Sequence, residues 1–172
     1  MKKLSFLFFV FCVLLSSYSF PWEKLHSIEG NCEILFPNKP HHLKQRIPIE
    51  KTNEKLNYDV YLSQIDEDNS ICMMIIANFP DKIDKINEKQ SLEGFFNGIV
   101  NHKNEKKIIY ADFSDFHDSS ALDFLFENQN RYFKGKVFVN ENKLYLIAME
   151  YNNYLNLDAT FEKYITSFNM KK

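Results

Sequence analysis

Two segments of this 172-residue chain are apolar at nearly every position, and they limit the folds that it can adopt. The first covers residues 70–79 (SICMMIIANF) and the second covers residues 144–151 (LYLIAMEY). Successive side chains of a strand point to opposite faces of a sheet, so a strand that is apolar throughout must be covered on both faces. The sequence therefore requires one layer above and one layer below a central sheet.

Other strands follow from alternation. Cys32, Ile34 and Phe36 alternate with less apolar positions, which predicts a half-buried strand that ends at Pro37. The polar residues 140–143 predict a hairpin turn between strands at 131–139 and 144–151. Strands are also predicted at 43–50, 58–62, 108–113 and 122–126. Pro48 confines the first of these to a sheet edge or a bulge, because proline cannot donate a ladder hydrogen bond.

Two helices follow from a period of 3.6 residues. The apolar stripe of the first helix is Leu92, Phe95, Phe96, Ile99 and Val100, and that of the second is Phe161, Tyr164, Ile165 and Phe168. Ser91 is the expected N-cap of the first helix, and Asp158 or Asn156 that of the second. Gly94 and Gly98 are expected to let the first helix lie close to the sheet.

With one internal and one C-terminal helix as the two covering layers, the sequence predicts an α+β fold. The specific expectation is a three-layer α/β/α sandwich with a mainly antiparallel central sheet.

Residues 1–19 have the features of an export signal. Lys2 and Lys3 precede an apolar run at 4–15, and small residues favour cleavage after Ser19. The run falls short of the roughly 20 residues that a membrane-spanning helix needs, so we expect cleavage and no stable membrane anchor. The chain is therefore predicted to be exported, to the periplasm or the cell exterior. Residues 20–28 would form a lead segment, and residues 29–172 a single domain.

Charge and motifs narrow the function classes. Residues 1–19 hold two of the 21 basic side chains and none of the 23 acidic ones, so the rest of the chain is net negative. This balance gives no reason to expect nucleic acid or an anionic membrane as partner. The sequence has no P-loop, dinucleotide fingerprint or CxxC motif. We therefore expect a protein that is not an enzyme and needs no cofactor.

Cys32 and Cys72 remain after signal cleavage. In an exported protein, two cysteines permit one disulfide. Both cysteines also fall in apolar strand segments, where each could be a buried thiol that packs like a small hydrophobic side chain. The sequence leaves both alternatives open.

His41 and His42, with Lys39, Lys44 and Arg46, form the densest basic patch of the sequence. Imidazole is a common metal ligand, so the pair suggests a metal or anion site. Adjacent residues of an extended segment point to opposite faces, however, and cannot chelate one ion alone. The sequence therefore favours a solvated loop here.

A second polar cluster runs from Asp112 to Ser120. It contains Asp115, His117 and Asp118, which suggests a Ca²⁺ loop or a Ser-His-Asp hydrolase. The segment lacks the glycine bend and closing glutamate of an EF-hand, and the chain has no G-x-S-x-G motif. A polar connection between strands is the favoured interpretation. No catalytic, cofactor-binding or metal-binding residue is assigned.

The stretch EGNCEILFPNKP, residues 29–40, resembles the G-x-F-x-V-x-F-P-G-x-P opening of the PsbP-like, Mog-type sandwich class. Gly30, Ile34, Phe36, Pro37 and Pro40 match that opening. Cys32 replaces the usual aromatic residue, and Asn38 replaces the usual glycine. The resemblance continues downstream through Phe79-Pro80, the helix at 92–100 and the segments at 131–133 and 144–146, so that it covers most of residues 29–168.

The resemblance implies a fold similar to that of the extrinsic photosystem II protein and of a Ran-binding family, which act by docking on partners. It implies no ligand or partner-binding residue for this chain. The leading hypothesis is an exported, non-enzymatic domain that binds a protein partner or assists an envelope assembly. The first alternative is a carrier of a small apolar ligand, which requires a cavity of roughly 300 Å³ or more. The second alternative is a hydrolase or metal protein that uses the segment from Asp112 to Ser120.

Overall fold

The computed structural model describes residues 22–48, 55–65, 69–101, 106–152 and 157–171. The predicted signal at 1–19 and the candidate cap Asn156 lie outside these ranges. Ten strands and two helices occur in the described residues. The strands are β1 (Glu23–Ser27), β2 (Cys32–Phe36), β3 (His41–Pro48), β4 (Lys55–Ile65), β5 (Ser70–Asn78), β6 (Lys107–Phe116), β7 (Ser119–Asn128), β8 (Arg131–Asn140), β9 (Lys143–Tyr151) and β10 (Asn169–Met170). The helices are α1 (Glu88–Val100) and α2 (Leu157–Thr166).

The strands form two antiparallel sheets. The large sheet has the order β3-β4-β5-β9-β8-β7-β6, and the small sheet has the order β1-β2-β10. β5 and β9, the two strands that the sequence requires to be covered on both faces, are hydrogen-bonded neighbours near the centre of the large sheet. β3 lies at its edge, as Pro48 predicts.

The inner face of the large sheet packs against the small sheet and α2. β2 contributes Cys32, Ile34 and Phe36 to this core, which is the alternation that the sequence shows. α2 contributes Phe161, Tyr164 and Ile165, and Phe168 follows just after the helix ends. Tyr164 contacts Phe36 edge to face, with ring centroids 5.3 Å apart. A three-stranded sheet and one helix therefore share the inner layer.

The predicted three-layer α/β/α sandwich is wrong. The structure is a β-rich sandwich of a three-stranded and a seven-stranded antiparallel sheet, with two short helices. The predicted lead segment at 20–28 contains β1, because Glu23–Ser27 pair with β2 along its whole length. The short strand β10 was also missed. The inner face thus gains a sheet where a helix alone was expected.

Glu33 joins the strands of the small sheet electrostatically. Its carboxylate lies 3.3 Å from Lys24 Nζ, 3.0 Å from His26 Nδ1 and 2.9 Å from Lys171 Nζ. Lys24 and His26 belong to β1, and Lys171 follows β10. The hydrogen bond from Lys171, with further help from Lys24, lowers the pKa of Glu33 to about 2.

The outer face of the large sheet packs against α1. Leu92, Phe96 and Val100 are the buried apolar residues of this helix. They pack chiefly over β7 and β8, and Phe96 contacts Phe124 with ring centroids 5.0 Å apart. Phe124 also stacks on Phe126 and Phe133. One helix therefore covers the β7–β8 side of a seven-stranded face.

The predicted details of the helix ends require correction. α1 begins at Glu88 after Asn87, which makes no side-chain capping bond, and Ser91 lies inside the helix. Asp158 lies in the first turn of α2, where its charge suits the helix dipole. Gly94 and Gly98 do not bring α1 close to the sheet, because a Cβ added at either position would meet nothing within 4 Å.

Tight turns connect the strands with little glycine. Between β6 and β7, both His117 and Asp118 have positive φ, and between β7 and β8 both Gln129 and Asn130 do. Positive φ at both central residues is the geometry of a type I′ hairpin turn. The predicted hairpin before β9 is confirmed, and Glu141 in its turn has a φ of 56°.

Gly135 of β8 allows a close approach that a larger residue would prevent. A Cβ at this position would lie 2.5 Å from Cζ of Phe124, whose ring is fixed by its aromatic neighbours. We predict that Gly135→Ala lowers the free energy of unfolding by about 1–3 kcal/mol through overpacking. The matched control Gly94→Ala should raise it by about 0.5–1 kcal/mol, because alanine is the better helix former in open space. Urea unfolding of both variants checks this, and an unchanged Gly135→Ala would contradict the described packing.

Candidate functional site

An open apolar groove lies on the outer face of the large sheet, beside α1. Its floor is formed by β4, β5 and β9, through Tyr58, Val60, Met73, Ile75 and Leu146. These side chains share one face because their strands pair in register, as Val60 with Ile75 and Ile75 with Leu146. The floor of the groove is thus the part of the sheet that α1 leaves uncovered.

Phe95 and Ile99 of α1 form one wall of the groove, and Gln45 and Ile47 of β3 form the opposite rim. The volume is about 350 Å³. This meets the size of roughly 300 Å³ that binding of a small apolar ligand requires. The apolar surface also continues past the rim, because Leu43 and Ile47 of β3 are 51% and 47% exposed.

The groove offers few polar groups. The side-chain amide of Gln45 and the hydroxyl of Tyr58 are the polar side-chain groups among its lining residues. Burial raises the pKa of Tyr58, so this hydroxyl stays protonated at neutral pH. Nothing in this lining can act as an acid, base or nucleophile near pH 7. The groove is built to bury apolar surface.

The sequence analysis assigned no function to these groove residues. Leu56, Tyr58, Val60 and Leu62 do alternate, which is a signal for one apolar face. This alternation predicts that one face of the strand is apolar. It does not show whether a helix covers that face. The structure raises the question, because α1 is the one helix among the described residues that packs on the outer face.

The structure places His41 and His42 in β3, and not in the predicted solvated loop. His42 Nε2 lies 2.8 Å from Oδ1 of Asp59, and its ring stacks on Tyr61 with centroids 4.2 Å apart. His41 pairs in register with Leu62 and lies on the other face of the strand. The two imidazoles therefore do not converge.

The segment from Asp112 to Ser120 joins two strands, as predicted, but the strands extend into it and leave a connection of two residues. β6 runs through Phe116, His117 and Asp118 form the turn, and β7 begins at Ser119. The aromatic neighbours of the His117 ring are Phe116 and Phe168. His117 and the acids thus lie along a flat hairpin.

Ser114 is the hydroxyl of this hairpin with the closest charged neighbours. It donates a hydrogen bond to Asp123, and Lys136 Nζ lies 3.2 Å from its oxygen. Lys136 also lies 2.6 Å from Oδ1 of Asp123, and it is held over the ring of Phe116. The arrangement is a polar anchor between β6, β7 and β8.

Within the described ranges, no three His, Cys, Asp or Glu side chains come close enough to hold a metal ion. No helix among those residues has the length and apolar character to cross a membrane.

Comparison with known proteins gives a fold and no family. Neither a protein-family model nor a curated protein matches the chain. Among solved structures, cyanobacterial PsbP (CyanoP) from Synechocystis sp. PCC 6803 is similar, with a TM-score of 0.58 and 15% sequence identity. The similarity covers 87% of this chain and 92% of that chain. The chain therefore has a PsbP-like fold, as the opening at residues 29–40 predicts.

Cys32 and Cys72 are thiols, not joined in a disulfide, in the core between the two sheets. Both are fully buried, and burial raises the pKa of Cys32 to about 12. The thiolate is the reactive form of cysteine, so this environment makes Cys32 inert while the protein is folded.

We predict that Ellman's reagent does not react with either thiol in the folded protein. In the full chain with Cys12→Ser, denaturation without reductant should release two reactive thiols, from Cys32 and Cys72. If the denatured chain releases none until a reductant is added, the two cysteines form a disulfide and the description of this core is wrong.

Proposed function

We propose that this chain is an exported, non-enzymatic binding protein whose groove accepts an amphipathic helix of a protein partner. The observation that carries the proposal is the apolar outer face over β3, β4 and β5, which α1 does not cover. Recognition of an amphipathic helix by a hydrophobic groove is a common mode of peptide binding.

The dimensions of the sheet support a helix as the occupant. Neighbouring strands lie about 4.8 Å apart, so the four strands from β3 to β9 span about 14 Å. A helix with its side chains is about 10–12 Å wide, so one helix fits beside α1 and completes the outer layer.

The wall of the groove also suits a second helix. Phe95 and Ile99 of α1 give this wall apolar side chains against which another helix can pack. The expected partner helix carries apolar residues at i, i+3, i+4 and i+7 on one face.

The N-terminal sequence supports export. The basic start, the apolar run at 4–15 and the small residues before Ser19 have the pattern of a cleaved signal peptide. We therefore place the protein in the periplasm or outside the cell, in a bacterial exported branch of the PsbP-like, Mog-type class. An accessory role in an envelope assembly follows from this location and from a docking surface.

An amphipathic peptide of about 14 residues, or four helical turns, tests the proposal. With leucine on one face and glutamate and lysine on the other, it should shift the NMR methyl signals of Ile47, Val60 and Ile75 in a saturable manner. The double variant Leu43→Asp/Ile47→Asp should bind at least tenfold more weakly, because two charges would enter the apolar rim. Ile28→Asp, at a residue that is 90% exposed elsewhere, should bind like the unchanged protein.

A peptide that leaves these methyl signals unchanged would refute helix binding. Equal binding of the peptide by the double variant and by the unchanged protein would refute it as well.

The volume of the groove favours a second candidate, a carrier of a small apolar ligand. About 350 Å³ lies within the range of small-molecule sites. Decanol is a suitable probe, and titration against the same methyl signals compares it with the peptide. Saturable binding of decanol without binding of the peptide would favour the carrier and displace the leading proposal.

A further inference from the structure

A polar cleft of about 360 Å³ lies on the opposite face of β3 and β4 from the groove. Lys44 and Arg46 of β3 face it, together with Asn57 and Asp59 of β4 and Asn78 of β5. Glu29, in the turn between β1 and β2, closes one side. The cleft therefore lies between the small sheet and the edge of the large sheet.

A buried carboxylate forms one end of the cleft. The side chain of Asp59 is only 5% exposed. His42 Nε2 lies 2.8 Å and Lys44 Nζ 3.7 Å from its Oδ1 atom. Both contacts reach the same oxygen, which leaves Oδ2 as an acceptor for another donor. Lys44 also donates to Glu29, and this hydrogen bond lowers the pKa of Glu29.

Three polar side chains stand in a row across three strands beside this carboxylate. Arg46 pairs in register with Asn57, and Asn57 pairs with Asn78. Paired residues have Cβ atoms about 5 Å apart, so the row is about 10 Å long. Over the described part of the chain, these three side chains have no hydrogen-bond or ion-pair partner. They are available to a ligand.

The chemistry of the row selects the kind of ligand. Arginine offers donors only, whereas each asparagine amide offers two donors and an acceptor oxygen. A carboxylate or phosphate would satisfy Arg46 but leave both amide oxygens without a donor. It would also bring negative charge close to Asp59 and Glu29, which disfavours binding. An alcohol hydroxyl both donates and accepts.

We propose that this cleft binds a neutral, polyhydroxylated ligand, that is, a saccharide. Vicinal hydroxyls contact Arg46, Asn57 and Asn78, and one hydroxyl donates to Oδ2 of Asp59. Two cations and two carboxylates line the cleft, so the formal charges of these four side chains cancel, as suits an uncharged ligand. The volume lies in the range of small-molecule sites. This site does not depend on the function proposed for the groove.

Titrations followed by the side-chain amide NMR signals of Asn57 and Asn78 test the proposal. The probes are glucose, galactose and N-acetylglucosamine, with acetate and inorganic phosphate as anions. We expect at least one sugar to shift both amide signals in a saturable manner, and both anions to leave them unchanged.

In the double variant Asn57→Ala/Asn78→Ala, the shifts that the sugar causes in the remaining cleft signals should require at least tenfold more sugar. Asn97→Ala, at an exposed position of α1 on the other side of the sheet, is the matched control and should bind normally. Shifts with acetate or phosphate and none with sugars would identify an anion site and overturn the proposal. No shift with any probe, or equal binding by the double variant, would overturn it as well.

Discussion

The burial of β5 and β9 on both faces is the constraint on which the rest of this structure depends. Met74, Ile76, Ile147 and Met149 point to the inner face, and Leu146 points to the outer face. Neither set can be left in water without losing the largest favourable term of folding. Both faces of the large sheet therefore need a covering layer, and the two layers are very unequal.

The inner layer is wide and the outer layer is narrow. On the inner face, the small sheet and α2 cover the core together. On the outer face, α1 is the one covering element that the described part of the chain supplies. It lies over a sheet whose seven strands span about 29 Å, while a helix is about 10–12 Å wide. The groove is the direct result of this mismatch in width. β3 continues the two faces outward, with Leu43 and Ile47 toward the groove and Lys44 and Arg46 toward the polar cleft.

Local patterns in the sequence predict the strands that form the core. Consecutive apolar residues predict β5 and β9, alternation predicts β2, and Pro48 predicts the edge position of β3. β1 could not be predicted in this way, because Glu23–Ser27 is mostly exposed and mixed in polarity. Its position depends on pairing with β2, which no local pattern reveals.

The tightness of the turn between β6 and β7 was not predicted, for a different reason. His117 and Asp118 take positive φ without glycine, so the usual Asn-Gly or Asp-Gly signal of such turns is absent. With a turn of only two residues, Asp112 and Asp115 become strand residues, and the metal or hydrolase interpretation loses its loop.

The two candidate sites depend on tertiary placement more than on local sequence. From the sequence, Tyr58, Val60 and Ile75 are expected to be ordinary core residues. The position of α1 in the structure shows that this helix does not cover them. Arg46 and Asn78 are separated in sequence, and only the register of β3, β4 and β5 brings them together with Asn57. Local patterns carry no information about such register, so the sequence alone does not predict these sites.

The accessibility of the outer face in solution tests this account most directly. With methyl-labelled protein and a neutral gadolinium chelate, paramagnetic attenuation reports which methyl groups the solvent reaches. An open groove predicts strong attenuation at Leu43, Ile47 and Ile75 and weak attenuation at Leu122 and Val137, which lie buried on the α1 side of the same face. If the methyl signals of Ile47 and Ile75 are attenuated as little as those of Leu122, the outer face is already covered, and the open groove does not exist.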